Sequence, residues 1–217
     1  MFKKRIYCSI LIFLFLYSCS HPKVETAQTE QKKKSVTQDS ILIDSNYSFE
    51  QAIEGTKAPI EIIRQLKLIT VHYYSTDHRI HQGQVLTNIK IADRLELLFQ
   101  FMLNRKFPVA HAIPVVKYNW DDDASMEANN TYSFCYRDIS FSKHALGMAI
   151  VINPYFNPVR WKEGYENREN KPAGAHFDPA IPGTFYKGNP VVTEFKKLGF
   201  YWGHNFSMKH DDHHFEI

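Results

Sequence analysis

The chain has 217 residues, of which 44% are hydrophobic, which is enough for one ordinary domain with a buried core and some additional chain. The formal net charge is only +3, and part of that excess comes from basic residues at 3–5 and 32–34, outside the segment that is predicted to fold. The charge therefore does not indicate a nucleic-acid partner.

The first residues have the pattern of a targeting signal. A basic stretch at 3–5 precedes an apolar stretch at 6–17, which is too short for a comfortable membrane-spanning helix. The sequence LYSC that follows resembles a bacterial lipobox, although an ordinary secretory signal with a chance cysteine is the alternative. We predict a signal peptide at residues 1–19, lipidation of Cys19, and a mature protein held on a membrane of the cell envelope, facing the periplasm.

The next segment, residues 20–58, is predicted to be a flexible tether, because its first part is rich in Lys, Gln, Thr and Ser and lacks hydrophobic periodicity. The domain is predicted to occupy residues 59–217. Once the signal is removed and Cys19 is lipidated, only Cys135 remains, so no intramolecular disulfide can form. Cys135 lies in an apolar run and is predicted to be a buried structural thiol, with a catalytic cysteine as the alternative.

The first part of the domain has clear periodic patterns. Residues 66–75 are β-branched and aromatic and predict a strand, which pairs with a second strand at 79–88 across a polar turn. Asn88 is predicted to cap a helix that runs to about Asn104. Apolar residues at helical spacing give that helix one buried face: Ile91, Leu95, Leu98 and Met102.

The second part has weaker patterns. Strands are predicted at 131–137, 147–153 and in the last two apolar runs, 200–206 and 213–217. The acidic residues 121–123 are predicted to cap a helix or to lie in solvent. Residues 154–188 are predicted to form a long irregular loop, and Asn189-Pro190 to begin a helix that Gly199 ends. Helices and strands do not alternate regularly, which favours an α+β domain.

Four features in this part suggest chemistry when they are taken together. Arg137 ends a predicted strand, His144 follows it, and the chain closes on Asp211-Asp212-His213-His214-Phe215-Glu216. Zinc favours His nitrogen and carboxylate oxygen ligands, and a nearby carboxylate can take a proton from zinc-bound water. A fixed arginine can stabilise the oxyanion of a tetrahedral intermediate.

These motifs resemble a known family. The run Ser142-x-His144-x-x-Gly147-x-Ala149-x-Val151 resembles the SxHxxGxAxD signature of the VanY-like zinc D,D-carboxypeptidases and L-alanyl-D-glutamate endopeptidases, which cut cell-wall peptides. The last motif resembles their DxxHFE, and residues 199–206 are similar to their GFxWGGxW segment. The resemblance extends over about residues 65–217 and implies a hedgehog/D,D-peptidase-like α+β domain with a central antiparallel sheet.

The resemblance also implies a role for each matching residue. His144 and His214 would be zinc ligands, and Asp211 would be the general base. Arg137 would bind the substrate carbonyl and the developing oxyanion, and Ser142 would orient the site. The implied substrates are peptidoglycan stem peptides that contain D-amino acids, cut by a monomeric protein.

The chain departs from this signature at Val151, where the family has its third ligand, an aspartate. Val has no lone pair, and catalytic zinc normally has three protein ligands. Three explanations remain open: a substitute ligand, a relative that binds peptidoglycan without cutting it, or an inactivating change in an otherwise intact enzyme. The candidate substitutes are Asp138, His176, Asp178, His204, Asp212 and His213, of which His213 would face away from the site if its segment is a regular strand. A generic secreted hydrolase is a further hypothesis, and the choice between carboxypeptidase and endopeptidase stays open.

Overall fold

The structure is a computed structural model that describes residues 41–139, 142–165 and 167–217. The predicted signal peptide, Cys19 and residues 20–40 of the predicted tether lie outside the described residues. Within the described ranges, no helix is both long enough and apolar enough to cross a membrane.

A long β-hairpin forms the first sheet. Strand β2 (Leu66–Tyr74) pairs antiparallel with β3 (Ile80–Asn88), with Leu66 opposite Asn88 at one end and Tyr74 opposite Ile80 at the other. A two-residue strand, β1 (Leu42–Ile43), pairs parallel with β3 on its other side. The hairpin predicted from the sequence is confirmed.

The hairpin leads directly into the longest helix. The helix labelled α3 (Ile89–Asn104) begins where the side chain of Asn88 accepts a hydrogen bond from the backbone N–H of Lys90, as the cap pattern predicted. One face of α3 packs against β2 and is buried through Ile91, Ala92, Leu95, Leu98, Phe99 and Met102. This helix, its cap and its buried face are confirmed.

The last part of the predicted tether is wrong, because residues 41–58 belong to the folded domain. The backbone N–H of Asp44 donates to the carbonyl oxygen of Gln82, and Tyr47 exchanges two hydrogen bonds with the side chain of Gln84. Two four-residue helices follow, α1 (Phe49–Ala52) and α2 (Ile60–Ile63). Elements this short carry no periodic pattern. The partners of Asp44 and Tyr47 lie in β3, far along the chain, and that pairing is not visible in the local sequence.

A second three-stranded sheet lies at the other end of the sequence. Its antiparallel order is β6 (Ala149–Val151), β10 (His214–Glu216) and β8 (Tyr201–Trp202). Two further pairs complete the strands: β4 (His111–Ala112) with β5 (Asn130–Thr131), and β7 (Val159–Trp161) with β9 (Lys209–Asp211). The α+β class is confirmed, although pairing is spread over several small sheets instead of one central sheet.

The structure corrects two local predictions. The strand predicted for 131–137 ends early, because after β5 only Tyr132 forms a bridge, to Val151. The loop predicted for 154–188 contains β7, which pairs with β9 and so ties the loop to the C-terminal motif. The loop differs from its prediction because β7 finds its partner strand far along the sequence.

Two predicted helix boundaries are confirmed. Helix α4 (Asp122–Glu127) begins at Asp121, whose side chain accepts from the backbone N–H of Ala124. Helix α5 (Pro190–Lys197) begins at Asn189 with a proline in its first turn, and Gly199 follows its end with a positive φ of 86°. Helices α3 and α5 and the two larger sheets share one hydrophobic core.

Candidate active site

The two histidines of the motifs meet in one pocket. His144 begins a 3-10 turn, His144–Leu146, that ends at Gly147 with a positive φ of 65°. His214 is the first residue of β10, 70 positions later in the sequence. Both side chains are buried, and Nε2 of His144 lies 3.1 Å from Nδ1 of His214. The fold therefore brings these two rings to a common point.

The hydrogen bonds of each ring define which nitrogen carries the lone pair. Nδ1 of His144 donates to the carbonyl oxygen of Ser133 at 2.7 Å, and Nε2 of His214 donates to the Glu216 carboxylate at 2.8 Å. Burial, with the charges of His214 and Arg137, holds the pKa of His144 well below its usual value, so this ring is neutral. In neutral rings the two lone pairs face each other, an arrangement that suits a shared proton or cation.

The distance between these two nitrogens is close to the distance between two ligand atoms of one metal ion. Two nitrogens bound to one zinc at ~2.1 Å in tetrahedral geometry lie about 3.4 Å apart. The Glu216 carboxylate bonded to His214 is the kind of partner that commonly orients a metal-binding imidazole. The hydrogen bond from His214 holds the pKa of Glu216 below its usual value, so this carboxylate stays charged.

The third ligand position is apolar. Val151 in β6 lies directly opposite His214 in β10, so both side chains are on the same face of the sheet. Val151 is buried and packs in a small hydrophobic cluster with Val115, Met126, Tyr132 and Cys135. Across residues 41–139, 142–165 and 167–217, no three His, Cys, Asp or Glu side chains are arranged to hold a metal. The residues present therefore do not fit a three-ligand catalytic zinc site.

The candidate substitute ligands are engaged elsewhere or lie away from the pocket. Asp212 is fully buried and bonds Nε of Arg160 at 2.9 Å and Nδ1 of His204 at 2.6 Å. The His204 ring also stacks on Trp202, with 4.3 Å between ring centroids. The three remaining loop candidates do not line the pocket: Asp138, His176 and Asp178.

His213 lines the pocket, because the condition for it to face away, a regular strand, is not met. It lies in the turn between β9 and β10, not in a strand, so strand alternation does not apply to it. Its Nδ1 bonds the carbonyl oxygen of Asn157 at 2.7 Å, and its Nε2 lies 2.9 Å from Oδ1 of Asp211. Both ring nitrogens therefore face acceptors within the protein.

The proposed general base, Asp211, lies between His213 and Lys209. Its Oδ1 faces His213, and its Oδ2 lies 2.8 Å from Nζ of Lys209. Burial raises the pKa of Asp211, but the charges of His213, His214 and Lys209 and the hydrogen bond from His213 outweigh burial and hold this pKa well below its usual range. Such a carboxylate is a weak proton acceptor, because an efficient base has a pKa near the working pH.

The proposed substrate-binding arginine lies on the same pocket. Nη2 of Arg137 forms an ion pair with Asp122 at the start of α4 and lies 3.4 Å from Oη of Tyr132. Ser142 accepts a hydrogen bond from the backbone N–H of Ala145, at a distance of 3.4 Å, and so supports the turn that carries His144. The pocket has a volume of about 450 Å³, and its lining includes the residues singled out from the sequence: Arg137, Ser142, His144, Val151, Asp211 and His214.

Sequence reasoning missed several residues of this pocket, among them three with polar or charged side chains. The sequence predicts that Asp122 caps a helix or lies in solvent, whereas its side chain pairs with Arg137. Lys209 and Tyr132, which contact Asp211 and Arg137, carried no motif signal. Their positions depend on which strands and helices meet at the pocket, so no local pattern could identify them.

Comparison with known proteins agrees with this arrangement over the C-terminal part of the chain. Residues 137–217 match a family model described as D-alanyl-D-alanine carboxypeptidase. Neither a curated protein nor a solved structure matches the chain. The matched segment contains the arginine, both histidines and the aspartate that border the pocket, and the resemblance found in the sequence is confirmed for it. By this match, the segment 137–217 is similar to the VanY-like D-alanyl-D-alanine carboxypeptidase family of peptidases.

Proposed function

We propose that this domain binds peptidoglycan peptides containing D-amino acids in the His144–His214 pocket, and that its ability to hydrolyse them is impaired. One observation carries the second part: Val151 lies opposite His214, where the family signature has a carboxylate ligand. Two imidazoles without a third ligand form a weak zinc site, and the missing negative charge no longer offsets the charge of the metal.

The pocket suits a short peptide with a free carboxylate. Its volume of about 450 Å³ is within the common range for small-ligand sites. Arg137 offers a guanidinium to a carbonyl or carboxylate oxygen, and Lys143 adds a second cation beside His144. Val151 and Met126 provide an apolar wall against which an alanine methyl group can pack.

The state of Asp211 supports impaired hydrolysis independently of the missing ligand. Its two oxygens lie 2.9 Å from Nε2 of His213 and 2.8 Å from Nζ of Lys209. A general base works best with a pKa near the working pH, and the pKa of Asp211 is held well below that range. In this arrangement Asp211 serves to balance charge at the base of the pocket.

A second candidate function is an active zinc-dependent peptidase, either a carboxypeptidase or an endopeptidase. It is favoured by the convergence of Arg137, His144, Asp211 and His214 on one pocket. In that case His213 would have to leave Asp211 and supply the third ligand. The two candidates differ in zinc content, so they can be separated by direct measurement.

The test compares the wild-type domain with Val151→Asp, and with Val151→Asn as a control of similar size without charge. We expect wild-type protein to bind a D-Ala-D-Ala peptide but to hold well under one zinc per chain and to leave muropeptides uncut. Val151→Asp is expected to hold one zinc per chain, to gain thermal stability when zinc is added, and to cleave. Without zinc, the carboxylate that Val151→Asp introduces is buried and should lower the stability of that variant.

The outcomes are distinct. One zinc per wild-type chain, together with muropeptide cleavage, would establish the second candidate instead. If neither the wild type nor Val151→Asp binds the peptide, the peptidoglycan substrate class is wrong.

The cellular location is a separate proposal. We infer from the lipobox resemblance that Cys19 is lipidated and that it anchors the domain to a membrane of the cell envelope. Cys19→Ser should move the protein from the membrane fraction to the soluble fraction and abolish incorporation of labelled palmitate. Retention of the label in that variant would contradict the assignment.

A further inference from the structure

The ion pair between Arg137 and Asp122 suggests how the pocket prepares its arginine for a ligand. Nη2 of Arg137 contacts the Asp122 carboxylate and lies 3.4 Å from Oη of Tyr132. Nε of Arg137 is buried and has no hydrogen-bond partner among the described residues. The guanidinium is therefore held from one corner, and at least one N–H donor stays available.

Helix α4 gives two neighbouring carboxylates different ion-pair partners. Asp122 pairs with Arg137, and its side chain is 26% exposed. Asp123 pairs with Lys171 at 3.0 Å, and both side chains of that pair are more than half exposed. The backbone of the helix, capped by Asp121, fixes this division, since residues one apart on a helix point in different directions.

We propose that Asp122 is a positioning residue, which fixes the guanidinium of Arg137 so that its remaining donors face the bound peptide. This inference rests on the proposed function, in which Arg137 meets an oxygen of the ligand. An unrestrained arginine loses much rotamer freedom when it binds, and a partner that orders it beforehand removes that loss from the binding step. The planar guanidinium can pair with Asp122 through one nitrogen and still offer N–H groups from another.

The ion pair between Asp122 and Arg137 also has an alternative interpretation, in which it opposes ligand binding. The Asp122 carboxylate could occupy the place of a ligand carboxylate, so that the two compete for Arg137. The roles predict opposite signs: removing a positioning residue weakens peptide binding, whereas removing a competitor strengthens it.

The experiment measures the affinity of the domain for an acetylated tripeptide ending in D-Ala-D-Ala by titration calorimetry. We expect Asp122→Ala to weaken binding by about three- to ten-fold, the effect of one side chain that is no longer ordered in advance. Asp122→Asn should lose less, because its amide oxygen still accepts from Arg137. Asp123→Ala removes the same charge from the next residue and should change affinity less than about two-fold.

A double-mutant cycle tests whether Asp122 acts through Arg137. In an Arg137→Gln background, Asp122→Ala should have no further effect on affinity. Tighter binding by Asp122→Ala, unchanged binding, or an equal loss in the Arg137→Gln background would each overturn the proposal.

A second readout does not depend on peptide binding. The Nε–H proton of Arg137, assigned in NMR spectra with an Arg137→Lys variant, should exchange with water at least several-fold faster in Asp122→Ala than in wild type or Asp123→Ala. If wild-type protein binds no peptide, the proposed function fails, while this exchange rate still decides whether Asp122 fixes Arg137. An unchanged exchange rate in Asp122→Ala would overturn the inference.

Discussion

The β-hairpin and helix α3 differ in construction from the half of the domain that carries the pocket. In the first region, two nine-residue strands and a 16-residue helix follow one another directly in the sequence. In the second, strands of two or three residues pair with partners far along the chain, and the two histidines that meet are 70 positions apart. The first region is a scaffold that is stabilised by local order. The second holds its shape through individual long-range contacts.

The nature of those contacts also differs. The scaffold is held by apolar side chains such as Leu95 and Leu98, which are fully buried. The loop that follows β6 is held by buried amides: Asn153 bonds the backbone of Ala110 and Pro108, and Asn157 bonds the backbone of Phe185. Apolar packing tolerates similar replacements, whereas each buried amide requires its specific partners. The shape of the pocket in the second region is therefore sensitive to single substitutions.

The largest effect on stability is expected in the scaffold. Leu95→Ala removes a fully buried side chain between α3 and the sheet and should lower the free energy of unfolding by about 2–5 kcal/mol. Leu97→Ala, in the same helix at 60% exposure, should change it by less than about 0.5 kcal/mol. Urea unfolding measures both. Because the pocket lies elsewhere, the folded Leu95→Ala protein should keep its peptide affinity. A large loss of affinity would contradict the distinction between the two regions.

A smaller loss of stability is expected when the amide that holds the loop is removed. This substitution should also change the pocket. The Asn157 side chain donates to the carbonyl oxygens of Asn153 and Gly183 and accepts from the backbone N–H of Phe185. Asn157→Ala leaves these buried groups without that partner and should lower the free energy of unfolding by about 1–3 kcal/mol.

The same substitution should weaken peptide binding, because the backbone oxygen of Asn157 also bonds His213 in the pocket. Asn170→Ala, an exposed amide in the same loop, is the matched control and should alter neither property. Equal stability and equal affinity in Asn157→Ala and Asn170→Ala would show that the amides do not hold this region.

The smallest effect concerns a reaction rate and not stability. Burial raises the pKa of the Cys135 thiol to about 11, so little thiolate exists at pH 8. Iodoacetamide should modify Cys135 about 100-fold more slowly in the native protein than in denaturant, as measured by mass spectrometry of the peptide that contains it. Raising the pH toward 11 should increase the native rate, since the thiolate fraction grows. Rapid labelling at pH 8 would show that the thiol is accessible and ionised, and would revive the catalytic alternative for this cysteine.

Long elements could be predicted from the sequence, whereas the bounds of strands of two or three residues could not. The hairpin, α3 and α5 were predictable because their apolar residues recur at the period of a strand or helix and because Asn88 and Asn189 cap the helices. The strand predicted for 131–137 was wrong because its apolar residues are buried by packing and not by continuous pairing. The extent of the tether was wrong because β1 is two residues long and gains its stability from β3.

The sequence by itself determined the α+β class, the order of the long elements and the spacing of the motif residues Arg137, His144, Asp211 and His214. Local periodicity and residue type are written along the chain, so these features could be read directly. Only the tertiary structure decided that Val151 faces His214, that Asp122 holds Arg137 and that His213 engages Asp211. These contacts depend on the register of very short strands and on a turn, and such geometry arises only when distant segments pack together.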